Sequence, residues 1–163
     1  MTWLLILFGV AIVVSPLMWF RQSPRQKLIT ELRRSANSMG LQVSLHRRPD
    51  ARDDETRLEC VCYRLPWLGD SCRQSWVLHR HSKRGWQSVV NDWLWTIAEA
   101  DPKWSDLLAE TVADIPAGVS AIIANNAGIG VIWNERDDAA DLEKVAHNLK
   151  KMQQTAKKFA DGA

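Results

Sequence analysis

Residues 1–20 contain no Asp, Glu, Lys or Arg. That absence argues against a cleaved secretory leader, which opens on a basic stretch ahead of an apolar core of about 7–15 residues and a small-x-small cleavage site. The apolar run here is longer, 18 residues from Trp3 to Phe20, and its end, "SPLMWFRQSP", offers bulky residues where a peptidase needs small ones. Also missing are Gly-x-Ser-x-Gly, His-Glu-x-x-His and Gly-Lys-Ser/Thr, so the usual signatures of a hydrolase elbow, a zinc protease and a phosphate-binding loop are absent. "AGIGVIW" holds a Gly-x-Gly, but within a predicted hairpin and without the helix a dinucleotide site needs. No internal repeat or long low-complexity segment is present, which leaves one compact domain of about 140 residues after the apolar run.

At 1.5 Å per residue, 18 residues span about 27 Å, close to the roughly 30 Å of a hydrocarbon core. Trp3 at one end, and Trp19 with Phe20 at the other, are placed for the two interfaces. Residues 21–40 then carry Arg21, Arg25, Lys27, Arg33 and Arg34 against Glu31 alone. Lys and Arg close to a span stay on the cytoplasmic side. The expectation is a transmembrane anchor over 1–20 with its N-terminus outside, a basic juxtamembrane helix over 21–40, and a cytosolic domain over 41–163. In a bacterium that places the chain in the inner membrane, with Arg21, Arg25 and Lys27 near anionic lipid.

In a reducing compartment Cys60, Cys62 and Cys72 are thiols. "CVCYRLPWLGDSC" contains no Cys-x-x-Cys, and its spacing misses the common zinc pattern. With His79 and His81 these cysteines make one candidate metal- or thiol-dependent group. The alternative has Cys60 and Cys62 as small apolar residues on one side of a strand.

Ser23-Pro24 opens the juxtamembrane helix and Gly40 closes it. Three strands are predicted from "LQVSLHR", "RLECVCYRL" and "QSWVLHRH", with a polar, mobile link at 48–56. Trp86, Val89, Val90, Trp93, Leu94 and Ile97 fall at helical spacing, which predicts a helix over 86–97. A second helix follows Asp101-Pro102 and ends at Pro116, a hairpin turns at Asn-Asn-Ala-Gly, and a last helix starts at Asp137 or Asp138. Leu142, Val145, Leu149, Met152, Ala156 and Phe159 recur along it, as in a core-facing helix or a short coiled-coil seam. The order predicts an α+β fold with a largely antiparallel sheet of about five strands packed by helices.

Nine tryptophans stand out, of which Trp86 and Trp93 fall on the periodic face as core residues. Trp95 falls off it and is either packed in the core or under a lid, or an exposed contact, which makes Trp93, Trp95 and Trp104 the candidate partner contacts. Charge is segregated: residues 21–84 hold 14 basic and 7 acidic side chains, 85–143 hold 2 and 11, and 144–163 hold 5 and 1. Basic residues without interleaved exposed aromatics or a motif do not suit nucleic-acid binding.

"MWFRQSPRQKLITELRR" resembles the YajC-type accessory subunit of the bacterial Sec preprotein translocase over residues 3–35. That resemblance implies an N-out span, a basic Pro-containing join and a small cytosolic β-containing domain. After Gly40 the chain departs, without the Gly-Gly strand of that family, and no functional residue carries over. Together these features predict a non-enzymatic, single-span inner-membrane accessory protein whose domain binds another protein, with no cofactor. Self-association through residues 137–163 is a further expectation.

Overall fold

A computed structural model of the chain describes Thr2, Trp3, Ile6 and residues 23–69 and 75–161. The chain divides into two compact units, Met1–Glu31 and Leu32–Ala163. Among the described residues no helix is long and apolar enough to cross a membrane. The expected anchor, with Trp19, Phe20 and Arg21, lies outside them apart from Thr2, Trp3 and Ile6.

The fold is α+β, and the expected antiparallel sheet is present with seven strands rather than about five. Along the chain run α1 (Pro24–Ser38), β1 (Gln42–His46), β2 (Cys60–Leu65), β3 (Trp76–His79), β4 (Trp86–Gln87) and β5 (Leu94–Thr96). A 3-10 turn (Pro102–Trp104) leads into α2 (Ser105–Asp114), followed by β6 (Val119–Asn125), β7 (Gly128–Trp133) and α3 (Ala139–Asp161). Every pairing is antiparallel, in the order β1-β2-β7-β6-β3-β5-β4.

Local chemistry sets most element ends. Ser23 and Gln26 form a reciprocal capping box: Ser23 Oγ accepts the Gln26 N–H at 3.2 Å, and Gln26 Oε1 accepts the Ser23 N–H at 3.0 Å. Gly40, at φ 87°, lets the Leu41 N–H turn back to the Ala36 carbonyl at 3.0 Å and close α1. Asp101 caps the 3-10 turn through the Lys103 N–H, and Asp138 caps α3 through the N–H groups of Ala140 and Asp141. The hairpin forms as expected, Asn125 facing Gly128 across Asn126-Ala127.

One face of the sheet carries Tyr63, Leu65, Trp76, Leu78, Trp95, Ile122, Ile129, Val131 and Trp133 into the main core. Leu32, Ala36, Leu108, Leu142, Val145, Leu149, Met152 and Ala156 of the helices join them there. The α3 series is thus spent on this chain's own core, as a core-facing helix requires. The other face holds a smaller cluster of Cys62, Val77, Ala121, Ile123 and Ile132.

That second face is concave. In a flat sheet β1 and β5 would lie about 24 Å apart, five strand spacings, whereas three residues reach at most about 11 Å. Yet the Pro49 carbonyl, three residues past the end of β1, accepts the Thr96 hydroxyl of β5 at 3.1 Å. The sheet therefore curls toward this face, and at Gly130 bulk would not fit. A Cβ at Gly130 would stand 2.7 Å from the Tyr63 carbonyl oxygen and 3.1 Å from Cys62 Sγ.

Two expectations are corrected here. Residues 86–97 are not a helix but the β4–β5 hairpin. Their apolar spacing satisfies a helical period by coincidence, because burial follows Trp93 and Trp95, two apart, while Val89 and Ile97 stay exposed. Asp92 at φ 64° and Ile97 at φ 70° break any helix, and Trp, Val, Ile and Thr favour strands. The link at 48–56, expected to be mobile, is laced down by Arg47 to the Glu55 carbonyl, Arg48 to Glu55, and Arg84 to the Asp50 carbonyl.

Candidate contact surface

Among the described residues, Cys60, Cys62, His79 and His81 do not gather into a metal or thiol site. Among the described residues no three of His, Cys, Asp and Glu gather to hold an ion; Cys72 lies outside them. Cys62 is fully buried, and burial pushes its thiol up to about 11. Cys60 is raised as well, by burial first and then by Glu59, so neither is a ready thiolate. His79 is also fully buried. Its Nε2 lies 2.9 Å from the Arg84 carbonyl, which can only accept, and its Nδ1 accepts the His81 N–H at 3.2 Å. The two partners fix the neutral Nε2–H tautomer and leave no lone pair for an ion. A furrow beside Cys60, lined by Arg48, Glu55, Thr56, Arg57 and Glu59, is internally neutralised: Arg48 lies within 4 Å of Glu55 and Glu59, and Arg57 of Glu59.

Of the two readings of Trp95, core packing is the one the structure has, and Trp93 and Trp104 are buried with it. Trp93, Trp95 and Trp104 are 2%, 4% and 4% exposed. Trp95, Trp76, Trp104 and Phe159 form a chain of edge-to-face contacts at 5.5–5.8 Å through the core. Trp93 carries the Arg80 guanidinium 5.1 Å above its ring, and that guanidinium also donates to the Ala117 and Val119 carbonyls.

The indole offered to solvent in this region is Trp86, on β4, the outermost strand. Its Nε1–H donates to Glu99 Oε1 at 2.6 Å, which fixes the ring. Val89 and Ile97 of the same hairpin are 61% and 73% exposed. Ile97 sits at the centre of a γ-turn, the Ala98 N–H bonding the Thr96 carbonyl at 2.9 Å with φ 70° at Ile97. A positive φ at such a turn is strained, and more so for a β-branched residue. The buried Thr96, anchored to Pro49, holds the chain there while the isoleucine side chain points to water.

Sequence reading missed a buried polar cluster on the helix-covered face. Glu135, 5% exposed and at φ 55°, receives Arg33 Nε on Oε1 and Nη2 on Oε2, both at 2.7 Å. Tyr63 donates its hydroxyl to Glu135 Oε1 at 2.7 Å and meets Trp133 edge-on at 5.2 Å. The hydrogen bond to Glu135 holds the Arg33 pKa up, and burial, with the bond it donates to Glu135, raises the Tyr63 phenol well above its usual value. The triad is an architectural clasp: both Glu135 oxygens and the Tyr63 hydroxyl are engaged. Arg33, one of the basic residues of the 21–40 helix, finds its partner 102 residues away, beyond any local signal.

No family model matches the chain, and neither a curated protein nor a solved structure matches it.

Proposed function

We propose that the chain is a single-span inner-membrane protein, anchored by residues 1–20 with the N-terminus outside. In this reading its cytosolic α+β domain is a non-enzymatic accessory that binds another protein through the β4–β5 hairpin. The observation that carries the contact is the hairpin itself: Trp86, Val89 and Ile97 are each exposed along it, with Ile97 held in a strained turn. Strain that places an apolar side chain in water stabilises nothing within the chain, and such outliers concentrate at functional positions. Exposed Trp anchors at the rim of a fold are the usual hot spots of protein interfaces. The anchor rests on the uncharged run and its basic flank.

The test is in-cell photo-crosslinking of the full-length protein from position 97 and, as control, from position 143 on the exposed side of α3. A single membrane-associated partner captured from 97, co-purifying in mild detergent in fixed ratio, is the expected result. Equal capture from both positions, or none from 97, refutes the hairpin as the contact.

A further inference from the structure

We propose that the outer edge of β1 pairs antiparallel with β1 of a second copy of this chain, giving a two-fold dimer with one continuous sheet. β1 ends the strand order on its side, and among the described residues no strand pairs with its outer edge. Folded proteins guard such edges with lysine, proline, a bulge or a very short strand. β4, at the opposite side of the sheet, is two residues long. β1 has five residues, Gln-Val-Ser-Leu-His, with no Lys, Arg, Asp, Glu or Pro among them, and it pairs with β2 without a break in register. The two arginines that follow it are engaged by the link: Arg47 donates to the Glu55 carbonyl and Arg48 to the Glu55 carboxylate.

The strand is complementary to itself. Val43 and Leu45 share the helix-covered face, where Val43 packs against the main core while Leu45 stays 58% exposed. Gln42, Ser44 and His46 share the concave face, beside Arg64, Cys62 and Cys60 of β2. An antiparallel pair centred on Ser44 sets each Leu45 opposite Val43 of the second copy, and each Gln42 opposite its His46, with side chains about 5 Å apart. Leu45 then gains an apolar neighbour, and polar residues meet polar ones on the other face. Arg47 falls opposite Leu41, so no like charges meet, whereas centring on Leu45 would set Arg47 against Val43. The two-fold axis of such a pair stands normal to the sheet. Both helix-covered faces therefore lie on the same side of the joined sheet, which suits two chains held in one membrane; that last point alone rests on the proposed anchor.

The test is the mass of the full chain in density-matched detergent, by sedimentation equilibrium over a range of concentrations. The parent is expected to pass from one chain to two. Ser44→Lys and Ser44→Glu each set like charges across the two-fold and should weaken association at least about tenfold. An equal mixture of the two variants should restore it. Ser44 is exposed, so neither change disturbs the core. Glu143→Gln, on α3, should leave association unchanged. A parent that stays single at every concentration overturns the inference. So does a dimer that Ser44→Lys leaves intact, one that Glu143→Gln dissolves, or a mixture that fails to associate. A mass above two chains overturns it too, because a two-fold pair is closed. An in-cell crosslink from position 45 that captures a different protein in place of a second copy assigns the edge to that protein and overturns the dimer. None of these results bears on the hairpin contact, which is read at position 97.

Discussion

At the scale of the residue, Ile97 and His79 behave oppositely. Ile97 occupies a backbone conformation that costs an L-residue roughly 1–2 kcal/mol, with its side chain 73% exposed. Ile97→Gly should therefore stabilise the fold by about 1 kcal/mol, because glycine enters positive φ without that penalty. Urea unfolding followed by core tryptophan fluorescence would measure it, and a loss of stability would mean that the side chain packs in solution. A more stable protein that no longer engages its partner is the result to expect if the strain serves binding. His79 has both ring nitrogens bonded, and burial holds its pKa below the ordinary 6.5. As pH falls, the unfolded chain takes up a proton there before the folded one does. The contribution of His79 is thus complete above about pH 6.5 and drains as pH falls through that value toward the folded-state pKa. Urea midpoints at successive pH values should decline across this window in the parent and less in His79→Gln. Asp50, His81 and Arg84 bear on the same ring, so the slope of the variant supplies the baseline.

At the scale of the element, what could be read from sequence were features with local causes. The capping box at Ser23, the glycine stop at Gly40, the Asp101 and Asp138 caps and the Asn-Asn-Ala-Gly turn each depend on residues a few positions apart. The β4–β5 segment was misread because its apolar residues fit two periods. The choice was made by partners far along the chain: β3 beside β5, and Trp76 against Trp95. The exposed Trp86 was misassigned with it, since a residue on a helical core face becomes a rim residue on an edge strand. The Arg33–Glu135–Tyr63 clasp was invisible for the same reason, its members being brought together only by β2–β7 pairing and α1 packing. It joins the last turns of α1 to the link between β7 and α3. Removing one member of a buried pair strands the other charge. Because the Arg33 side chain is 43% exposed, Arg33→Ala should cost about 2 kcal/mol rather than the 3–5 kcal/mol of a fully buried pair. Tyr63→Phe should cost about 2 kcal/mol by removing a hydrogen bond to a carboxylate. The double variant should fall short of the sum, since both act on Glu135; additive losses in denaturant unfolding would show that they act separately.

At the scale of the whole molecule, charge placement connects the proposed anchor with the domain. Residues 21–40 hold five basic side chains. Arg33 is already committed to Glu135, which leaves Arg21, Arg25, Lys27 and Arg34 to flank the proposed anchor. Orientation and folding therefore make separable demands on this short stretch. Changing Arg21, Arg25 and Lys27 to Gln should leave the stability of the domain within about 0.5 kcal/mol, because the exposed side chains of Arg25 and Lys27 take no part in the Ser23–Gln26 hydrogen bonds or in a buried pair. The same variant should weaken retention of the N-out arrangement, since the bias set by Lys and Arg near a span is what fixes its orientation. Protease added outside spheroplasts should spare the domain of the parent protein and digest a fraction of the variant's. In inverted vesicles the parent domain should be digested. A parent domain cleaved from outside would overturn the proposed topology, and recovery of the full-length protein in the soluble fraction would remove the anchor altogether. Either result would leave the curled sheet, the clasp and the strained hairpin as described, because they are built from residues 32–161 alone.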